Sequence, residues 1–216
     1  MAQLTAFAGE ESRDQEIAHI EAALARTIPK TQTLFSCGLI ALNSGNQDLA
    51  VDLWTKCLRQ PHTGVQERLI VEFCLQLLPM KLLYEVVLPQ EPEYLLKVAR
   101  RYLSGPEMDL PRKFLVVHIR NLIQNTSDFD ELEKKLLLAD AARQTNDYSA
   151  AVKNYSDALS LAPATAPWRY DYAFALFMTK QFDEAVRQLK MCELDPSFRK
   201  NRIRRLLDRI RKERSR

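Results

Sequence analysis

The side chains that most often carry out catalysis or hold metals are few and scattered in this sequence. The histidines are His19, His62 and His118, and the cysteines are Cys37, Cys57, Cys74 and Cys192. No two histidines have the spacing of a metal site, and no two cysteines have CxxC spacing. The cysteines lie within apolar helical patterns, so we expect reduced core residues of a cytoplasmic protein, with neither metal nor cofactor.

Motifs that hold a phosphate or a nucleophile do not occur either. The sequence contains no GxSxG, no GxxxxGK[ST] and no GxGxxG. Carboxylate pairs such as Glu91 and Glu93 lie where helical patterns begin, and there they favour the positive end of the helix dipole. These patterns favour a protein without enzymatic activity. The alternative is an all-helical enzyme with a site near His118 and Arg120, in the irregular middle of the chain.

The elements that would position these residues are helices, because the hydrophobic periodicity is helical along the whole chain. DQEIAHIEAALARTI forms one apolar stripe and ends before Pro29. A helix, a tight polar turn and a second helix ending at proline then recur around SGNQ, QTND and TKQ. The start of the chain lacks a signal-peptide pattern, and no apolar run is long enough for a membrane span. The most apolar window, Leu69 to Leu88, predicts a buried helix pair.

Small residues recur within these helix pairs at a fixed spacing. Ala151 and Ala185 are 34 residues apart, and each follows an aromatic residue by three positions and precedes a small residue by seven. Two antiparallel helices pack closely only where small side chains lie at their crossing. We therefore expect small residues of the first helices to face small residues of the second: Gly38, Ala139 and Ala173 against Ala50, Ala151 and Ala185. Rings at Trp54 and Tyr155 would fill the gap to the next helix.

This pattern resembles the tetratricopeptide repeat, a helical hairpin with a period of 34 residues. The resemblance covers about 31–61, 132–163 and 166–196, and it departs where Lys135 and Arg169 replace the usual tryptophan. It implies an all-α, right-handed α-solenoid of antiparallel helix pairs with about 9–11 helices. The expected parts are a capping helix (1–30), one repeat-like unit (31–63), degenerate hairpins (64–130), two repeat-like units (131–196) and a basic amphipathic helix (197–216).

The resemblance also implies a non-catalytic scaffold or adaptor, because the first helices of such units line a concave face that holds peptides or partner helices. By position, the expected groove residues are Phe35, Leu39, Asn43, Asp140, Arg143, Gln144, Tyr170, Phe174, Phe177 and Met178. Some members clamp a terminal carboxylate with lysine and asparagine there, but Leu136, Asp140 and Gln144 occupy those places. Apolar residues of the third unit suit an apolar peptide or helix, unless the C-terminal helix covers Phe174 and Phe177.

The last segment, FRKNRIRRLLDRIRKERSR, is strongly basic. It carries ten Lys or Arg against two acidic residues, so its net charge is +8, whereas residues 1–197 carry −5 of the chain's total of +3. Its basic residues include Arg199, Lys200, Arg202, Arg204, Arg205, Arg209, Arg211 and Lys212. One apolar stripe, from Ile203 to Ile210, fits a helix that caps the solenoid. The charge also suits an acidic partner, an anionic membrane surface or nucleic acid.

Overall fold

The computed structural model describes residues 15, 17–20, 22, 24, 30–61, 63–162, 167–195 and 198–215. These residues form helices and turns, with no strand among them, so the predicted all-α class is confirmed. Residues 15, 17–20, 22 and 24 are helical, within the predicted first helix, whereas its predicted end before Pro29 lies outside the described residues. His62 and the predicted closing prolines Pro163 and Pro196 lie outside them as well.

The chain divides into two compact units, Met1–Gln90 and Glu91–Arg216. Between residues 31 and 90, the helices of the first unit are α1 (Thr31–Asn43), α2 (Gln47–Arg59), α3 (Gly64–Leu77) and the short α4 (Met80–Leu82), which continues into a π-helical turn (Leu83–Val87). The α1–α2 hairpin contains the indole of Trp54, which is fully buried and donates from Nε1 to the carbonyl of Phe35 at 3.3 Å. A Cβ atom at Gly38 would overlap this indole. Glycine therefore lets the two helices approach here.

The second unit contains the remaining helices. They are α5 (Pro92–Tyr102), α6 (Asp109–Asn125), α7 (Glu131–Gln144), α8 (Tyr148–Leu161), α9 (Arg169–Met178), α10 (Phe182–Glu193) and α11 (Lys200–Arg214), with a 3-10 turn (Pro106–Met108) before α6. Between residues 31 and 215, the described chain thus has ten helices of ten or more residues, within the expected range. Helices α7 and α8 form one hairpin and α9 and α10 the next, in the two segments where repeats were predicted.

Three hairpins of the chain share one turn conformation. The residue in the left-handed region is Gly45 (φ 80°), Asn146 (φ 58°) or Lys180 (φ 61°). In each turn the next residue donates its N–H to a carbonyl five positions earlier: Asn46 to Ala41, Asp147 to Ala142 and Gln181 to Leu176, at 2.8–3.0 Å. These bonds satisfy carbonyls at the end of the first helix. Asn146 and Lys180 are 34 residues apart, so the backbone repeats with the predicted period.

The predicted small residues are buried inside the hairpins. Ala50, Ala139, Ala151, Ala173 and Ala185 are fully buried, and the four in the second unit belong to one apolar cluster. Tyr155 extends this cluster to the next hairpin: its ring stacks on Trp168 with centroids 5.8 Å apart and planes 7° apart. The packing role predicted for these residues is confirmed. Trp54 is bound to α1 of its own hairpin by its hydrogen bond to the Phe35 carbonyl.

The prediction of a buried helix pair from Leu69 to Leu88 is wrong for α3. Its outer face carries apolar side chains every fourth residue that are 40% to 69% exposed: Val65, Leu69, Phe73 and Leu77. Only the opposite face of α3, with Ile70, Val71 and Cys74, is buried, whereas Leu83, Val87 and Leu88 of the following turn are buried as expected. The exposed Val65, Leu69 and Phe73 are as apolar as the buried Ile70, Val71 and Cys74, so the sequence does not show which of these faces meets a neighbour.

Candidate functional site

An open cavity of about 520 Å³ lies in the second unit, between α5, α7 and the start of α9. We call it the α5–α7 groove. Its apolar lining consists of Leu96, Leu132, Leu136, Leu137 and the rings of Tyr155 and Trp168. Leu96 and Leu137 are buried, whereas Leu132, Leu136 and Trp168 remain half-buried. Half-buried leucines and an indole therefore face the open space.

Arg143 organises the charged side of the α5–α7 groove. Its guanidinium donates to the Tyr155 hydroxyl at 3.3 Å and pairs with the carboxylates of Asp171 at 3.1 Å and Asp140 at 3.5 Å. Burial alone would lower the pKa of this guanidinium, but the Asp171 carboxylate and the other oxygens around it outweigh that effect and raise the pKa. Arg143 is thus a fixed charge that ties α7 to α8 and α9.

Carboxylates outnumber guanidinium groups around this groove. Its lining includes Glu93, Asp130, Glu133, Asp140 and Asp171, against Arg100 and Arg143. Asp140 also pairs with Arg100 at 3.4 Å, and Asp130 accepts a hydrogen bond from the backbone N–H of Glu133 at 2.8 Å, which caps α7. The groove is therefore apolar at its base and acidic at its edge.

The predicted groove residues fall in different places. Asp140 and Arg143 line the α5–α7 groove, and Gln144 beside them donates to Asp140 at 3.4 Å. In the first unit, Phe35 lines a cavity of about 400 Å³ together with Gln66 and Leu69 of α3. Leu39 is half-buried and Asn43 is exposed on the same helix, α1.

The predicted residues of the third repeat-like unit form a surface that is largely covered. Phe177 is buried beneath the guanidinium of Arg209, 4.9 Å from its ring centroid. Tyr170 lies under Arg202 at 4.7 Å. Phe174 is half-buried against Phe177, and Met178 alone of the four is exposed. Phe177 therefore belongs to the core, whereas Tyr170 and Phe174 remain half-buried.

Helix α11 provides this cover, so it caps the core of the second unit. Ile203, Leu206 and Ile210 are buried in the cluster that contains Leu176 and Leu189. Arg214 adds a contact over the Phe182 ring at 6.0 Å and pairs with Asp183. These contacts match the capping of the helical core, one of the two roles predicted for this helix.

The basic residues of α11 divide into two groups. Arg202 and Arg209 cover rings, and Arg211 pairs with Asp208 at 3.3 Å. The other predicted basic residues are exposed and have no ion pair among the described residues: Arg199, Lys200, Arg204, Arg205 and Lys212. We call these five residues the outer basic face.

The histidines and cysteines are dispersed in the described part of the chain. No group of three or more His, Cys, Asp or Glu side chains there is arranged to hold a metal. The four cysteines are free and buried, and burial raises the pKa of Cys57 to about 11 and that of Cys74 to about 12. His118 is half-buried on α6, and Arg120 pairs with Asp147 at 3.8 Å. Among the described helices, none is both long and apolar enough to cross a membrane.

Sequence reasoning did not single out Trp168 or the exposed stripe of α3. Trp168 precedes α9 and lines the α5–α7 groove, where its indole stacks on Tyr155. A tryptophan beside a predicted helix start was the available signal. The stripe on α3 is visible in the sequence as apolar residues spaced four apart. The same spacing is equally typical of a helix face that packs against the core.

Comparison with known families places the C-terminal part of the chain among helical repeats. Residues 142–210 match the model of the tetratricopeptide repeat family, from the end of α7 to α11, about a third of the chain. The predicted resemblance is thereby confirmed for this segment, which is tetratricopeptide-like. No curated protein matches the chain. Tetratricopeptide repeats generally mediate contacts between proteins, and such domains are typically scaffolds without enzymatic activity.

Proposed function

We propose that this protein is a cytoplasmic, non-catalytic scaffold or adaptor that binds a peptide or a helix of a partner protein in the α5–α7 groove. One observation carries the proposal: half-buried leucines and Trp168 line an open cavity of about 520 Å³ beside fixed charges. Binding cavities combine these features, an apolar surface and a few polar groups that orient the ligand. The free, buried cysteines are consistent with a reducing compartment.

The binding energy would come from a partner's apolar side chains. A leucine-sized side chain contributes about 1.5–3 kcal/mol when it leaves water, and several such anchors together must offset the loss of translational and rotational freedom on binding. The ion pair of Arg143 with Asp171 links α7 to α9 beside the cavity before the partner arrives. A preformed groove reduces the ordering cost of binding.

The test places a charge in the apolar lining. Leu132→Lys, in the α5–α7 groove, is expected to weaken capture of partner proteins from a cell lysate by roughly tenfold or more, because lysine cannot replace the lost apolar contact. Leu161→Lys is the matched control, since Leu161 is 53% exposed and lies outside the cavity. Circular dichroism establishes that both variants are folded. Equal recovery of every partner by both would contradict the proposal.

A second candidate function is electrostatic attachment of the outer basic face to an acidic partner protein, an anionic membrane surface or nucleic acid. The exposed, unpaired charges of this face favour it. Arg204→Glu/Arg205→Glu is expected to abolish binding to anionic vesicles or RNA. Lys153→Glu, at an exposed lysine of α8 outside this face, is the control for the loss of positive charge. Binding that survives about 0.5 M salt would contradict an electrostatic attachment.

A further inference from the structure

We infer that the occupant of the α5–α7 groove is a basic segment, with an arginine or lysine next to a leucine-like residue. This inference rests on the proposed function and specifies the chemistry of its partner. It follows from the carboxylates of the cavity that form no ion pair with its two guanidinium groups.

The internal ion pairs use the two guanidinium groups of the cavity. Asp140 pairs with Arg100 and Arg143, and Asp171 pairs with Arg143. Glu93 and Glu133 are in none of these pairs, and neither side chain has an ion pair with another described residue. Asp130 adds a third carboxylate at the same edge. The cavity therefore presents net negative charge beside its leucines.

A basic side chain matches this arrangement better than any other. An arginine lays its apolar stem along leucines such as Leu132 and Leu136 while its guanidinium binds a carboxylate of Glu133 or Glu93. Half-burial of Glu133 reduces solvent screening and strengthens such a pair. An acidic peptide would instead bring its carboxylates close to three others and would be repelled.

The first turn of α7 offers a control for this reasoning. Glu131 and Glu133 both lie in that turn, where a carboxylate also stabilises the helix through its dipole. Only Glu133 lines the cavity, whereas Glu131 is 71% exposed and lies 3.9 Å from Lys134. Neutralising either residue costs the helix a similar amount, so a difference in binding between the two variants reports on the groove.

Trp168 gives a direct signal of occupancy. The chain has two tryptophans, and Trp54 is fully buried in the first unit. Quenching of tryptophan emission by acrylamide therefore reports mainly on Trp168, which a bound peptide would shield. This readout locates binding in the groove, which an affinity alone does not.

The experiment uses the full chain and three fluorescein-labelled peptides: one alternating leucine with arginine, one with glutamate for each arginine, and one with serine for each leucine. We expect the leucine–arginine peptide alone to bind tightly and to shield Trp168. Glu93→Gln/Glu133→Gln should weaken it roughly tenfold, and Glu131→Gln by less than about twofold. Added salt should weaken it as well.

Each contrary result has a distinct meaning. Equal shielding of Trp168 by the glutamate peptide would overturn the inference and leave a groove that binds peptides without regard to charge. Equal loss of affinity in Glu131→Gln and Glu93→Gln/Glu133→Gln would overturn it too. If no peptide shields Trp168 while capture of partners still depends on Leu132, the inference is wrong and the proposed function stands. If both fail, both are wrong.

Discussion

Single side chains set the distance between paired helices in this chain, and Gly38 is the clearest case. We expect Gly38→Ala to lower the free energy of unfolding by up to about 2 kcal/mol, because the added Cβ would overlap the fully buried indole of Trp54 at a cost of about 1–3 kcal/mol. The gain in helix propensity, about 1 kcal/mol, offsets only part of this cost.

Gly64→Ala is the control for the same substitution. An added Cβ at Gly64 has no atom within 4 Å, so its unfolding free energy should change by less than about 0.5 kcal/mol. Urea titrations followed by circular dichroism compare the two variants. Equal stability of both would mean that Trp54 moves aside easily and that the glycine does not limit the approach of α1 to α2.

The buried thiols predict a loss of stability at alkaline pH. Burial raises the pKa of Cys57 to about 11, of Cys74 to about 12 and of Cys192 to about 11, so the folded state favours the neutral thiol. The stabilisation is fully present below the unfolded pKa of about 8.5 and is lost as pH rises toward the folded values, by up to about 1.4 kcal/mol per thiol and pH unit. Urea midpoints measured from pH 8 to about 10.5 should fall, and Cys74→Ala should reduce that slope. If the slope is unchanged in Cys74→Ala, groups other than this thiol cause the loss of stability.

At the scale of helices and turns, the repeated left-handed turn gives the next prediction. Lys180 adopts φ 61°, a conformation in which a Cβ costs about 1 kcal/mol relative to glycine. We therefore expect Lys180→Gly to raise the free energy of unfolding by about 0.5–1 kcal/mol. Lys153→Gly, on the exposed face of α8, should lower it by about 1 kcal/mol, because there the backbone is helical. Thermal unfolding measures the stability of both variants. If Lys180→Gly is destabilised, the lysine side chain contributes more to stability than its left-handed backbone conformation costs.

The helix pairs could be predicted from the sequence because their signals are local. Small residues such as Ala151 and Ala185 recur with the period of the fold, and polar turns lie between periodic apolar stretches. The face of α3 that meets the core could not be predicted, because Val65, Leu69 and Phe73 are as apolar as the buried Ile70, Val71 and Cys74. For each face of such a helix, burial depends on neighbours distant in sequence.

The candidate site was predictable only in part for the same reason. Asp140 and Arg143 were found by their positions in the repeat, and they line the α5–α7 groove. Arg209 covers the Phe177 ring because α11 packs against the helices before it. Glu93 lines the α5–α7 groove because α5 packs against α7. Neither contact follows from the spacing of residues within one hairpin.

At the scale of the whole molecule, the second unit is predicted to fold without the first. Its apolar cluster, from Ala139 to Ile210, consists of residues of that unit, and α5 packs against α6 and α7 of the same unit. Stacked helical hairpins are stabilised mainly by their nearest neighbours. A fragment spanning 91–216 should therefore be helical and should unfold cooperatively in urea.

The fragment 91–198, which lacks α11, is the informative comparison. Removing α11 takes the buried Ile203, Leu206 and Ile210 from the cluster and the guanidinium of Arg209 from the Phe177 ring. Loss of three buried aliphatic side chains costs several kcal/mol, so we expect this fragment to unfold at a much lower urea concentration or to lack a cooperative transition. Trp168 is the one tryptophan of both fragments, and its emission follows their unfolding. A noncooperative transition in 91–216 would show that the second unit depends on the first, and equal midpoints for the two fragments would show that α11 does not stabilise the unit it caps.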